Sequence, residues 1–168
     1  MITLVLGGAR SGKSAIAERL VARLAPPITY VATAHAPTDD ADHAGRIAAH
    51  RARRDPSWAT LEVGTALPDA LRSTPGSMLV DSLGTWVGAH DGAGVAIEPL
   101  VAALCSRADD TVLVSEEVGL GVHPSSELGR HFRDVLGAVN AAVADVADEV
   151  LFVIAGRVLP LDRLNEPT

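Results

Sequence analysis

The chain has 168 residues, a formal net charge of −7 at pH 7 and an apolar content of 48%. The negative charge argues against a surface built for nucleic acid or an anionic membrane, and the single cysteine, Cys105, excludes an internal disulfide framework. No apolar stretch reaches the roughly 18 residues of a membrane span, and the N-terminus lacks the basic region of a signal peptide. We therefore expect one cytoplasmic domain over residues 1–168.

Short apolar runs alternate with helical patterns along the chain. The runs predict strands at residues 2–6, 28–32, 60–63, 78–81, 111–115 and 150–154. This alternation is typical of an α/β fold with a mainly parallel sheet flanked by helices. Residues 92–94 predict a loop, and the tail after Leu161 is expected to be frayed.

The clearest helical pattern lies near the C-terminus. One apolar stripe at helical spacing consists of Leu128, Phe132, Val135, Leu136, Val139, Val143 and Val146. Four polar residues fall largely off this stripe, namely Arg130, Arg133, Asp134 and Asn140. Either Ser125 or Ser126 is expected to cap the start of the helix.

The segment after the first predicted strand matches the phosphate-binding pattern Gly-x-x-x-x-Gly-Lys-Ser/Thr. Its residues are Gly7, Gly8, Ala9, Arg10, Ser11, Gly12, Lys13 and Ser14, and Lys13 is the only lysine of the chain. In such a P-loop, backbone N–H groups bind phosphate oxygens, the lysine reaches the β- and γ-phosphates, and the serine hydroxyl binds Mg²⁺. A helical pattern follows, so the phosphates would meet a helix N-terminus. The alternative is a chance match in a glycine-rich turn.

Carboxylates follow two later predicted strands. Asp81 ends the run 78–81, and we expect this strand to lie beside the P-loop strand, with Asp81 holding Mg²⁺ directly or through water. The alternative for Asp81 is an ordinary helix N-cap before Leu83. Glu116 and Glu117 follow the run 111–115, and Glu117 is a candidate base or metal-supporting group. A solvated loop explains these two residues equally well.

Residues 42–54 have the pattern of a helix with a basic face. His43, Arg46, His50 and either Arg53 or Arg54 recur on that face at spacings of three to four. Arginine suits bidentate contact with phosphate, and a neutral imidazole among arginines can attack phosphorus. The local sequence leaves a second interpretation open, a solvated basic helix with an incidental histidine.

Several further segments share a pattern with one known family. They are residues 46–54, 58–62, 80–86, 117–124, 128–140 and 147–150. The most specific are Glu-Val-Gly-x-Gly-x-x-Pro at 117–124 and Arg-x-Phe-Arg-Asp-x-x-Gly-x-x-Asn at 130–140. With the P-loop, they resemble the bifunctional adenosylcobinamide kinase / adenosylcobinamide-phosphate guanylyltransferase family over nearly the whole chain.

The resemblance implies a RecA-like P-loop domain, a cyclic homotrimer and two reactions. In the first, the γ-phosphoryl group of ATP or GTP would pass to adenosylcobinamide. In the second, GMP from GTP would pass through a guanylyl-histidine to adenosylcobinamide phosphate, giving adenosyl-GDP-cobinamide. By position, the resemblance makes His50 the nucleophile of guanylyl transfer. Lys13 of the P-loop is the second candidate catalytic residue. It adds nucleotide contacts from Ala32, Thr33, Ala34, Arg51, Ala52, Arg53, Arg54 and Glu62.

The chain departs from the family pattern in two places. Some relatives carry two adjacent histidines where this chain has Ala49-His50. If the other position held the nucleophile, guanylyl transfer would be lost. The pair Glu116-Glu117 also replaces an Asn-Glu pair of some members, which leaves Glu117 in place.

Three rival functions remain open at the level of sequence. A small-metabolite kinase would explain the P-loop and the chain length, but not the basic helix around His50. A nucleotide-gated interaction module would use the same loop as a switch, without a small-molecule acceptor. A family member that has lost one of the two activities is the third.

Overall fold

The computed structural model describes residues 1–33, 55–90 and 94–163. These residues form a seven-stranded sheet of order β3-β2-β4-β5-β1-β6-β7. The strands are β1 (Ile2–Gly7), β2 (Ile28–Ala32), β3 (Ala59–Glu62), β4 (Ser77–Asp81), β5 (Thr111–Glu116), β6 (Glu149–Ile154) and β7 (Arg157–Pro160). The helices are α1 (Lys13–Val21), α2 (Leu67–Ser73), α3 (Leu83–Gly88), α4 (Ile97–Ser106) and α5 (Glu127–Val146). The predicted helix at 42–54 and residues 92 and 93 of the predicted loop lie outside the described residues.

The parallel part of the sheet confirms the prediction from the sequence. All pairings among β1 to β6 are parallel, and the six predicted strands agree with the structure to within one residue at each end. Side chains of the inner strands alternate between two buried clusters. Leu4, Val80 and Leu113 pack towards α2 to α5, whereas Val5, Leu79 and Val112 pack towards α1. Strands covered on both faces appear in a sequence as continuous apolar runs.

The seventh strand was not predicted. β7 pairs antiparallel with β6 through a turn at Ala155 and Gly156, both of which have positive φ values. This is the geometry of a tight hairpin with a primed turn. All four residues of β7 are exposed, and the strand ends in Pro160. An exposed edge strand has no buried face, so the local sequence carries no alternating pattern that would reveal it.

The long helix α5 confirms the predicted element and corrects two of its residues. Ser126 is the N-cap, and its hydroxyl accepts the Gly129 N–H at 3.1 Å. Leu128, assigned to the apolar stripe, is 72% exposed because the first turn of α5 lies outside the core. Asn140, assigned off the stripe, is buried, since its amide bonds to the end of β5. In the described part of the chain, no helix is long and apolar enough to cross a membrane.

Candidate nucleotide-binding and catalytic site

The P-loop joins the carboxyl end of β1 to the start of α1. Gly12 is the N-cap of α1 and brings no side chain to the first-turn N–H groups. Those N–H groups and the helix dipole therefore face the mouth of the loop, where an anion would be stabilised. The strand-loop-helix order that the motif requires is present, which confirms the predicted context for phosphate binding.

Close backbone packing fixes the shape of the loop. The Ser11 N–H donates to the Gly8 carbonyl at 3.3 Å and closes a tight turn. A Cβ atom at Gly7 would lie 2.5 Å from Ser11 Oγ and 2.7 Å from the Val153 carbonyl oxygen. Only glycine fits at that position, because both distances are well inside van der Waals contact.

Lys13 is the first residue of α1, and its side chain points back into the P-loop. Its side chain is 12% exposed, and its Nζ lies 3.4 Å from the Gly8 carbonyl oxygen and 3.5 Å from Glu116 Oε1. An ammonium group beside a P-loop adds a point charge to the backbone donors of the loop, an arrangement that suits a polyphosphate.

The structure corrects the expected position of Asp81. We expected its strand, β4, to lie beside the P-loop strand β1, but β5 lies between them and pairs with both. Strand order is a long-range property that a local apolar run does not encode. Asp81 nevertheless lies at the same edge of the sheet, where the hydroxyl of Tyr30 donates to Asp81 Oδ2 at 2.8 Å. The N-cap of α3 is Ser82, so the alternative role of Asp81 as that cap is wrong.

The insertion of β5 brings Glu116 next to the P-loop. Gly7 and Glu116 are register partners at the ends of β1 and β5. Glu116 Oε1 faces Lys13, and its Oε2 accepts the Ser82 hydroxyl at 3.1 Å. Glu117, a candidate base or metal-supporting group from the sequence, accepts the Gly119 N–H at 2.5 Å within its own loop. The sequence put both acids at this edge but gave no signal of which one turns towards Lys13.

Three further predicted nucleotide contacts, Ala32, Thr33 and Glu62, lie at or just after the ends of strands. Ala32 pairs with Asp81 on one side and with Glu62 on the other, so three strand ends align at one edge. Ala32 is half-buried and Glu62 is exposed there. Thr33 is fully buried, and its hydroxyl donates to the Ser82 carbonyl at 2.7 Å and contacts the Thr85 hydroxyl. This bonding ties the end of β2 to the start of α3.

Part of the predicted site lies outside the described residues. These residues are Ala34, His50, Arg51, Ala52, Arg53 and Arg54. The described chain ends at Thr33, just after β2, and resumes at Asp55, ahead of β3. The role of His50 as the nucleophile and the contacts of Arg51, Arg53 and Arg54 with nucleotide phosphates therefore stay predictions.

The fold and the loop define the chain as a P-loop α/β protein, and comparisons with known proteins agree. A solved structure of a prototypical ATPase from the type III secretion system of pathogenic bacteria matches with a TM-score of 0.53 at 11% identity, over 90% of this chain and 50% of that chain. At that identity the likeness concerns the fold alone. It supports the α/β fold that the sequence predicted and the RecA-like fold that the family resemblance implied.

The family follows from the sequence comparisons. The model of the family described as cobinamide kinase / cobinamide phosphate guanyltransferase matches residues 3–161. A bifunctional adenosylcobalamin biosynthesis protein CobP of Pseudomonas aeruginosa is 41% identical, with 99% of both chains covered. The corresponding CobU proteins of Salmonella typhimurium and Escherichia coli are 36% and 35% identical, over 93% of this chain. The chain belongs to the cobinamide kinase / cobinamide phosphate guanyltransferase family.

Proposed function

We propose that this protein phosphorylates adenosylcobinamide with ATP or GTP and then transfers GMP from GTP to the new phosphate, giving adenosyl-GDP-cobinamide. The observation that carries the proposal is a formed P-loop, with Lys13 inside it, in a chain that the family model matches from residue 3 to residue 161. Relatives covered over nearly their whole length carry names of bifunctional enzymes, which supports both activities rather than one.

In the kinase step, the P-loop holds the triphosphate by its β- and γ-phosphates. The first-turn N–H groups of α1 and the ammonium group of Lys13 offset the charge on the phosphate oxygens. The acceptor hydroxyl attacks the γ-phosphorus and gives up its proton to water. A P–O bond to the acceptor forms, the bond to the β-phosphate oxygen breaks, and the nucleoside diphosphate leaves. Since phosphoryl transfer needs little covalent help, orientation and charge neutralisation supply most of the rate.

Ser14 and Asp81 are the residues that we propose for Mg²⁺. They offer one hydroxyl and one carboxylate at the same edge of the sheet, Ser14 from the first turn of α1 and Asp81 from the end of β4. Among the residues that the structure describes, no three acidic, His or Cys side chains cluster as a protein-only metal site. A two-residue set fits Mg²⁺, which is usually held by one or two protein groups together with phosphates and water. Ser14 and Asp81 would hold the ion, which would supply positive charge to offset that of the phosphates.

In the second step, we assign His50 as the nucleophile. Its imidazole nitrogen attacks the α-phosphorus of GTP, a P–N bond forms, and the bond to pyrophosphate breaks. An oxygen of adenosylcobinamide phosphate then attacks the same phosphorus and releases the histidine. Arginine side chains beside it would stabilise the charge that develops, and the remaining proposed nucleotide contacts are Ala32, Thr33, Ala34, Arg51, Ala52, Arg53, Arg54 and Glu62.

A product analysis tests this function. The protein is incubated with adenosylcobinamide and Mg²⁺ in two reactions, one with ATP as the sole nucleotide and one with GTP. The corrinoid products are separated, and their masses are measured by mass spectrometry. We expect a phosphorylated product with ATP alone, and a GDP-linked product only when GTP is present. A phosphorylated product that GTP never converts would support a kinase without guanylyl transfer. Unchanged substrate under both conditions would contradict the proposal.

Three wider expectations belong to the same proposal. We propose that residues 1–168 act as one domain, that the protein works in the cytoplasm, and that it assembles as a homotrimer. The trimer rests on the family resemblance, and sedimentation equilibrium of the purified protein tests it. A mass three times the 17.4 kDa of one chain is expected.

A further inference from the structure

Glu116, at the end of β5, lies against the lysine of the P-loop. Glu116 Oε1 lies 3.5 Å from Lys13 Nζ, and Glu116 Oε2 accepts the hydroxyl of Ser82 at 3.1 Å. The carboxylate therefore connects the loop that holds the phosphates to the N-cap of α3. Its side chain is only 30% exposed, so water screens this pair less than it screens an ion pair on the open surface.

The surrounding structure fixes Glu116 in this place. The buried Asn140 of α5 donates its side-chain amide to the Glu116 carbonyl at 3.0 Å and accepts the hydroxyl of Ser115 at 2.6 Å. On the other side, a Cβ atom at Gly84 would lie 2.0 Å from Glu116 Oε2. The main chain and the carboxylate of Glu116 are thus both held in place. The backbone of α3 can approach the carboxylate closely because Gly84 has no side chain.

The partners of Lys13 are held less tightly. An ammonium group has three N–H donors, and in the described chain two acceptors face it, the Gly8 carbonyl and Glu116. Both lie at 3.4 to 3.5 Å, beyond the roughly 2.7–2.9 Å of a good charge-assisted hydrogen bond. A phosphate oxygen can bind the third donor at the normal distance and draw the ammonium group away from its long contact with Glu116, while Ser82 and Asn140 keep the glutamate where it is.

We propose that Glu116 is the displaceable counterion and positioning residue of Lys13. Before polyphosphate binds, it neutralises the ammonium group and keeps it beside the Gly8 carbonyl of the loop. Once polyphosphate is bound, the negative charge of Glu116 stays a few ångströms from the phosphates and weakens their binding. The loop can therefore release the diphosphate and pyrophosphate products. This inference rests on the proposed function only in that the P-loop is taken to bind polyphosphate.

The sign of an affinity change tests this role. Glu116→Gln keeps the size of the side chain and one acceptor, which can still take the Ser82 hydroxyl, but it removes the charge and the second acceptor. Glu117→Gln is the matched control. The dissociation constant of inorganic pyrophosphate is measured by calorimetry, with EDTA present to exclude divalent ions. We expect about fivefold tighter binding by Glu116→Gln, a gain that shrinks as salt is raised, and less than a twofold change for Glu117→Gln. A purely structural role would weaken binding instead.

The outcomes separate this inference from the proposed function. Wild-type protein that binds pyrophosphate, together with an unchanged or weaker dissociation constant for Glu116→Gln, overturns the counterion role alone. Wild-type protein that binds neither pyrophosphate nor GTP overturns both. Thermal denaturation shows whether each variant is folded. If Glu116→Gln does not fold, Glu116→Ala replaces it, because it also removes the charge, and it must bind pyrophosphate more tightly than the wild type. In steady-state assays with Mg²⁺, the KM for nucleotide should fall for Glu116→Gln, and kcat should fall as product release slows.

Discussion

The backbone N–H of Gly156 donates a 2.8 Å hydrogen bond to the carbonyl oxygen of Ser11, so the turn between β6 and β7 lies against the P-loop. The Cα atom of Gly156 also lies 3.4 Å from where a Cβ atom of Gly12 would be. The β6-β7 hairpin therefore contacts and supports the P-loop where α1 begins.

The conformation of this turn makes a first prediction. Gly156 has a φ of 73° in open space, so a Gly156→Ala variant meets no clash and is penalised only for its left-handed backbone. We expect a loss of about 1 kcal/mol in the free energy of unfolding, measured by urea titration. Gly137, in the middle of α5, also has open space, and Gly137→Ala should stabilise by about 0.5–1 kcal/mol. A Gly156→Ala variant as stable as wild type would contradict this account of the turn.

The guanidinium group of Arg107 joins the ends of three elements. It donates to the carbonyl oxygens of Leu71 at 2.6 Å, Thr74 at 2.8 Å and Gly76 at 2.6 Å, and to the hydroxyl of Thr111 at 2.9 Å. Replacing Arg107 by alanine removes all four hydrogen bonds and leaves the partly buried carbonyls without this partner. We expect Arg107→Ala to lower the free energy of unfolding by about 3 kcal/mol.

A second arginine provides the control for this prediction. Arg72 is more exposed and pairs with Asp69 and the Pro99 carbonyl, so Arg72→Ala should cost less than about 1 kcal/mol. Burial lowers the pKa of Arg107 and the charge of Asp109 partly offsets this, but the guanidinium stays protonated at neutral pH. The difference between the two variants should therefore stay constant between pH 6 and 9, within roughly the error of a denaturant titration. Equal losses for both would contradict the role of Arg107.

Lys13 carries the next prediction, on activity rather than stability. Lys13→Ala removes the ammonium group that the structure places beside the Gly8 carbonyl of the P-loop. We expect the kinase kcat/KM to fall about 100-fold, because the ammonium group stabilises phosphate charge in the transition state. Arg19→Ala, on the exposed side of α1, is the control and should leave the rate unchanged. An undiminished kinase rate for Lys13→Ala would rule out phosphate binding at this loop.

Local sequence predicted the parallel strands and the P-loop well because both depend on short-range signals. Strands buried on two faces are continuous apolar runs, and the loop has fixed residues at fixed spacing. Strand order is different, because it depends on how distant segments pair. The prediction that Asp81 lies on the neighbour of β1 failed for that reason, and the contact between Glu116 and Lys13 was missed.

Exposure explains the other differences between prediction and structure. β7 is an exposed edge strand with no buried face, so its sequence lacks a strand pattern. Helical periodicity includes Leu128 in the apolar stripe, but periodicity does not say where along its length a helix meets the core. Asn140 is buried because two hydrogen bonds to β5 offset its desolvation, a tertiary effect that no local pattern reveals.

The transfer of GMP through His50 is the central claim, and a labelling experiment tests it most directly. Purified protein is incubated with Mg²⁺ and GTP labelled at the α-phosphate, without acceptor, and protein mass and acid-labile label are measured. We predict a GMP-sized adduct on the wild type and on His131→Ala, whose histidine is exposed on α5, and none on His50→Ala. Label retained by His50→Ala, or absent from the wild type, would contradict the account.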